Sequence, residues 1–203
     1  GDQHLGVGQG VSLRDRGTAD DRRNEMAIPA AVLYPPFNVV RLSHIVFQVT
    51  DLAASRAFYV DTLGLQVTDE TKDAIYLRGL EERGQHSVVL RRADIAVTEA
   101  IGLRVFDEAD LDKAKKYFDA RNLPNRWLEV PYQGRTLRTV DSLGTPLEFF
   151  ARMDRLPPIH QKYALYKGVK PLRIDHINCF SDDVEASVAF YNELGFRVTE
   201  YTD

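Results

Sequence analysis

From residue 39 onward the chain alternates short β-branched runs with segments apolar along one helical face. Val39 to Thr50 carries leucine, isoleucine, valine and phenylalanine between polar residues, a strand pattern. Asp51 follows as a helix N-cap, Leu52–Leu63 as a short helix, and Gly64 as its left-handed stop. Leu65–Thr68, Asp73–Leu77 and Ser87–Arg91 then read as strands, giving βαβββ. A second pass opens at Gly102–Phe106. Its helix runs from Glu108 to Arg121, with Leu111, Ala114, Tyr117 and Phe118 along one face. Strands at Arg126–Val130, Thr136–Asp141 and Pro146–Ala151 complete the same order, the last two joined by the turn Asp141-Ser142-Leu143-Gly144.

The flanks differ. Residues 1–38 form an arm and strap: Gly1 to Glu25 is rich in Gly, Asp and Arg without apolar periodicity, and Ala27 to Pro36 is apolar but broken by three prolines. Such a strap suits the surface of its own fold or of a partner subunit. Residues 153–172, containing Pro157-Pro158, read as a linker. The domain expectation is therefore an arm (1–38), a paired unit (39–152, modules about 39–98 and 99–152), a linker (153–172) and a third module begun at 173–203.

That third module is visible as an internal repeat. His44, Asp51, Ser55 and Tyr59 recur 132 residues later as His176, Asp183, Ser187 and Tyr191, and the helix stop Gly64 returns as Gly195. The fold class expected is α+β, built of tandem βαβββ modules paired into a cup.

Composition narrows the function. The net charge of −4 offers no basic footprint for nucleic acid, and no apolar run approaches the roughly 18–20 residues that cross a bilayer. The single cysteine, Cys179, excludes an internal disulfide and suits a reducing cytoplasm. Gly1 rather than Met comes first, consistent with processing or an expression remnant, and no charged-then-apolar leader follows, so no secretion is expected.

Serial βαβββ modules with a His on the opening strand, closed by the Asp141-x-x-Gly144-x-x-x-Glu148 hairpin, resemble the vicinal oxygen chelate superfamily of glyoxalases, antibiotic-resistance proteins and type I extradiol dioxygenases. The run Thr50–Leu65 is similar to the start of the extradiol enzymes. Leu172-Arg173-Ile174-Asp175-His176-Ile177-Asn178 is similar to the opening of their catalytic half, most of all in the homoprotocatechuate 2,3-dioxygenase group. The resemblance covers residues 39–203. It implies a catechol substrate and O₂, a two-His, one-carboxylate Fe(II) site that Mn(II) also fits, and a homo-oligomer.

On a strand, His176, Asn178 and Phe180 share one face, while Ile177 and Cys179 take the other, toward the helix Asp183–Leu194. A His beside an Asn on a concave sheet fits a metal site with a neighbouring hydrogen-bond donor; it also fits a satisfied core histidine with a structural asparagine. The resemblance favours the first, making His176 the first metal ligand and Asn178 a residue beside the substrate. The second histidine, the carboxylate and the acid/base residue would lie past Asp203.

In the first pair, His44 and Glu148 occupy ligand positions, but the position of the second histidine falls on Leu103, which cannot ligate. A metal-free, structural half is expected there. Cys179 reads as an inert core thiol, and His86 as a loop or substrate-rim residue. Tyr163 and Tyr166 would pack between the halves. Two alternatives stand: a glyoxalase-type metal-dependent isomerase, for which one module pair suffices, and a metal-free protein that sequesters a small molecule or drug. Module count separates the first and metal content the second.

Overall fold

The computed structural model describes residues 28–200. The expectation for Gly1–Glu25 lies outside the described residues. Eight strands form one sheet: β1 (Val39–Val49), β2 (Gln66–Glu70), β3 (Ala74–Arg78), β4 (Val88–Arg92), β5 (Val97–Val105), β6 (Asn125–Val130), β7 (Gly134–Val140) and β8 (Pro146–Phe150). Their spatial order is β2-β3-β4-β1-β5-β8-β7-β6. Each module thus contributes four strands. The two opening strands, β1 and β5, lie antiparallel at the centre, and each runs parallel to the last strand of its own module.

Three helices join this sheet: α1 (Leu52–Arg56), α2 (Glu108–Ala120) and α3 (Val184–Glu193). Their N-caps are Asp51, Asp107 and Asp183, whose side chains accept from the N–H groups of Ala54, Asp110 and Ala186 at 2.8–2.9 Å. Each satisfies a donor that the first turn leaves free. The helix expected over Leu52–Leu63 is α-helical only to Arg56; residues Ala57–Thr62 form a π turn, with the Leu63 N–H donating to the Phe58 carbonyl. Gly64 and Gly195 take φ near +90°, as the repeat requires of both stops.

Alternation divides the side chains between two faces. The outer face carries two apolar clusters. One joins Ile45, Ile75, Leu77, Val88 and Leu90 to Leu52 and Val60 of the first helical segment and to Leu65 just after its glycine stop. The other joins Ile101, Leu103, Val105, Leu137, Leu147 and Phe149 to α2, to Phe37 at the end of the strap, and to Phe190 and Leu194 of the third module. Phe37 is fully buried and meets the rings of Tyr117 and Phe149 edge-on. The strap therefore ends as a core element, while Leu33 and Tyr34 project into solvent.

The linker is held by backbone. Val169 and Lys170 N–H groups bond the carbonyls of Thr62 and Leu63, and Leu80 and Glu81 N–H groups bond those of Pro171 and Leu172. Gly64 and Gly79 permit this approach: a Cβ on either would stand 2.0 or 2.4 Å from a linker carbonyl oxygen. Tyr163 and Tyr166 do not fill a space between halves as expected. They pack on each other, and Tyr163 is largely exposed.

Residues 174–180 depart from expectation most. They form no strand, because no described strand lies beside them to complete a ladder. Ile174 and Ile177 instead lean onto the outer apolar clusters at a spacing of three, and α3 docks beside α2 through Tyr117 Oη and Arg121, both donating to Glu193. Among the described residues no helix is long and apolar enough to cross a membrane.

Candidate functional site

The inner face of the sheet collects the polar side chains. A β-bulge between Leu42 and His44 shifts the alternation of β1, so that Leu42 faces the outer cluster and His44 the interior. His44 pairs across strands with Gly102 on β5, and Gly102 pairs with Glu148 on β8. The three lie in one row on three adjacent strands. With no side chain at its middle position, the imidazole crosses the row, and His44 Nε2 meets Glu148 Oε1 at 2.6 Å. Both residues are at most 1% exposed.

Leu103 was expected to hold the position of the missing histidine. It faces the opposite way, into the α2 cluster, because strand neighbours point to opposite faces. The inward position is Gly102. An added Cβ there would stand 2.1 Å from His44 Cε1. Gly102→Ala is expected to drive the ring off the carboxylate and destabilise the fold by about 3 kcal/mol; equilibrium urea unfolding checks this.

Glu148 is satisfied on all sides. Gln133 Nε2 also donates to Oε1 at 2.8 Å, and Arg138 Nη2 donates to Oε2 at 2.6 Å. Burial by itself would raise the carboxyl pKa, but the His44 hydrogen bond and charge, Arg138 and Gln133 together bring it down to about 2. His86 stands edge-on to His44 with ring centroids 4.8 Å apart, and Tyr76 and Tyr132 close over it. Burial first, then the His44 and Arg91 charges, push His86 down to about 3, so its ring is neutral near pH 7. His86 does lie in a loop, the connection between β3 and β4, but that loop is folded inward and the residue is 3% exposed. Tyr132, at φ 69°, bonds Asp69 across the cup.

This interior does not fit a metal ion. The lone pairs a cation would need on Glu148 already accept from His44, Gln133 and Arg138, and a guanidinium beside the carboxylate repels a second cation. Among the described residues no three His, Cys, Asp or Glu side chains gather as a ligand set. Gln133 and Arg138 went unnoticed in the sequence. The usable signal for Arg138 was its register opposite Glu148 on β7.

The third module presents its candidate residues differently. His176 is 85% exposed, its Nδ1 3.4 Å from Asp175 Oδ2. With Asn178 it lines a cleft of 610 Å³ beside Phe47, Thr98 and Pro146. The ring is neither packed in hydrocarbon nor brought to a second ligand, and one imidazole does not hold a metal. Cys179 corrects the alternation argument. It is exposed rather than tucked under α3, because residues 174–180 lack the strand geometry that would have turned it inward. Partial desolvation and the Asp141 charge push its thiol up, away from nucleophile chemistry.

Residues 41–126 match the Glyoxalase/Bleomycin resistance protein/Dioxygenase superfamily, and residues 173–203 match the bleomycin resistance protein-like N-terminal family. The fold, with its paired four-strand modules, is that of the extradiol dioxygenases in this superfamily. The chain is similar to homoprotocatechuate 2,3-dioxygenase from Brevibacterium fuscum, solved with 3,4-dihydroxyphenylacetate: 37% identity, a TM-score of 0.79, and coverage of 85% of this chain and 55% of that one. It is 29% identical to a metapyrocatechase of Pseudomonas sp. (strain CF600), over 80% of this chain and 57% of the relative. It is 24% identical to a manganese-dependent 2,3-dihydroxybiphenyl 1,2-dioxygenase of Geobacillus genomosp. 3, over 80% and 56%. The chain spans somewhat more than half the length of these relatives.

Proposed function

We propose that this chain is the N-terminal portion of an extradiol ring-cleaving dioxygenase acting on a catechol with O₂ in aromatic catabolism. The observation that carries the reading is the 37% identity to a homoprotocatechuate 2,3-dioxygenase across 85% of the chain at a TM-score of 0.79. Residues 39–152 serve as a non-catalytic domain, residues 153–172 as a linker, and residues 173–203 as the opening of the catalytic domain. The closed His44–Glu148 row supports a structural role for the first pair.

In this reading His176 is the first ligand of an Fe(II) centre, with Mn(II) the alternative suggested by the Geobacillus relative. Such a metal supplies a chelation site for the two catechol oxygens and for O₂. Asn178 lies two residues from His176 on the same cleft and acts as a hydrogen-bond donor toward the substrate. The exposure of His176 fits a ligand that awaits partners from a further module. The protein is read as a cytoplasmic homo-oligomer, with the exposed Leu33 and Tyr34 of the strap offering apolar surface to a partner copy.

Residues 1–203 alone, supplied with ferrous iron and 3,4-dihydroxyphenylacetate in air, are expected to give no yellow ring-fission product. Strong product formation would overturn this division of labour. In the protein extended by its remaining ligands, His176→Ala is expected to abolish stoichiometric iron on metal analysis, and with it the stabilisation that added iron gives the parent. Retained iron would remove His176 from the centre.

A further inference from the structure

At one end of the cup, separate from the His176 cleft, a cavity of 320 Å³ is lined by Arg41, Arg83, Arg104 and Arg155, with His86, Phe150 and Met153. The backbone forces these cations together. Arg41 and Arg104 are register partners on β1 and β5, and the bridge between Gly84 and Arg155 brings the chain around Arg83 beside Arg155. Like charges placed directly opposite on a sheet destabilise it. Among the described residues, Arg83, Arg104 and Arg155 have no carboxylate within 4 Å.

One acid lines the same cavity, and it is largely engaged. Glu82 accepts from the Gly79 N–H at 2.7 Å and from the Ile174 N–H at 3.2 Å, and stands 3.8 Å from Arg41. Buried His86 adds an Nδ1 without a partner among the described residues. In a chain of net charge −4, four guanidiniums around one small concavity concentrate positive potential where a ligand of opposite sign would relieve it. The volume suits a small molecule, and Phe150 and Met153 offer an apolar wall.

We propose that this pocket binds a small organic carboxylate, its oxygens on the arginine cluster and its apolar body against Phe150 and Met153. Arginine is suited to this, because its planar fork matches a carboxylate in paired hydrogen bonds. The site is independent of the ring-cleaving reading, since none of its residues belongs to the His176 cleft.

The test uses benzoate as probe and the methyl group of Met153 as local reporter, which is practical because the chain holds two methionines. With methyl-¹³C methionine, benzoate is expected to shift the Met153 signal saturably, less so at high salt, while neutral benzyl alcohol leaves it in place. Arg104→Ala and Arg155→Ala are each expected to weaken binding about tenfold, the effect of removing one hydrogen bond to a charged group. Without ligand, both variants should be no less stable than the parent, because each removes a like-charge neighbour. Four results would overturn the proposal: no saturable shift, equal binding of benzyl alcohol, inorganic phosphate binding where benzoate does not, or arginine variants that lose stability and so assign the cluster to the fold.

Discussion

Glu148→Ala is expected to lower the free energy of unfolding by about 3–5 kcal/mol, the range for removing one partner of a buried ion pair. Three groups depend on this carboxylate: His44 Nε2, Gln133 Nε2 and Arg138 Nη2, all within 2.8 Å. Alanine would leave His44 Nε2 buried with no acceptor, and Gln133 Nε2 with only Thr136 Oγ1, at 3.0 Å. Arg138 would retain only Glu99, its carboxylate at 3.4 Å and its carbonyl at 3.3 Å. Glu148→Gln keeps the volume and one acceptor oxygen but loses the charge, so its cost should fall between those of alanine and the parent. Replacing the whole unit with apolar residues of similar size, as in His44→Leu/Arg138→Met/Glu148→Met, should recover much of the loss, since no charge is then stranded. Urea unfolding of the three variants checks this. A Glu148→Ala cost below about 1 kcal/mol would mean that the row is not an integral part of the core.

Acid should unfold this protein in two overlapping stages. His86 is held at about 3 against an ordinary value of 6.5. The unfolded chain therefore takes up a proton below pH 6.5 that the folded one refuses, and stability falls by about 1.4 kcal/mol per pH unit until the pH nears 3. Glu148 is held at about 2 against 4.5. Its contribution is full above pH 4.5 and is lost as the pH falls toward 2. Both groups are depressed, so both act in the same direction, and the steepest decline is expected between pH 4.5 and 3. His86→Phe should flatten the decline between pH 6.5 and 4.5 while leaving the lower stage intact. Unfolding midpoints measured in urea at pH 7, 5.5, 4.5 and 3.5 resolve the two. An unchanged slope above pH 4.5 in His86→Phe would show that the ring is not the group responsible.

The two stages come from residues of unequal visibility in the sequence. Glu148 announced itself through the Asp141-Gly144-Glu148 spacing and the turn beside it, where Asp141 Oδ1 accepts from the Leu143 and Thr145 N–H groups. His86 sits in a Gly- and Arg-rich connection that reads as surface. Its burial depends on Tyr132, 46 residues away, arriving over it from the β6–β7 turn. A local pattern carries no information about such an arrival.

Taken alone, the amino-acid order determined the elements of the first two modules and the repeated helix: the capping Asp51 and Asp183, the glycine stops with φ near +90°, and the return of the helix 132 residues on, from which the α+β modular fold follows. These are short-range effects of backbone sterics and local hydrogen bonding, legible within a few residues. The tertiary structure decided which side chains met. The bulge after Leu42 set the facing of His44, the parallel pairing of β5 with β8 brought Glu148 next to Gly102, and a glycine at that crossing let an imidazole and a carboxylate join directly and shut the first cup. It also decided that residues 174–180 stay unpaired and leave His176 in solvent, because a strand is completed by its neighbours and not by its own sequence.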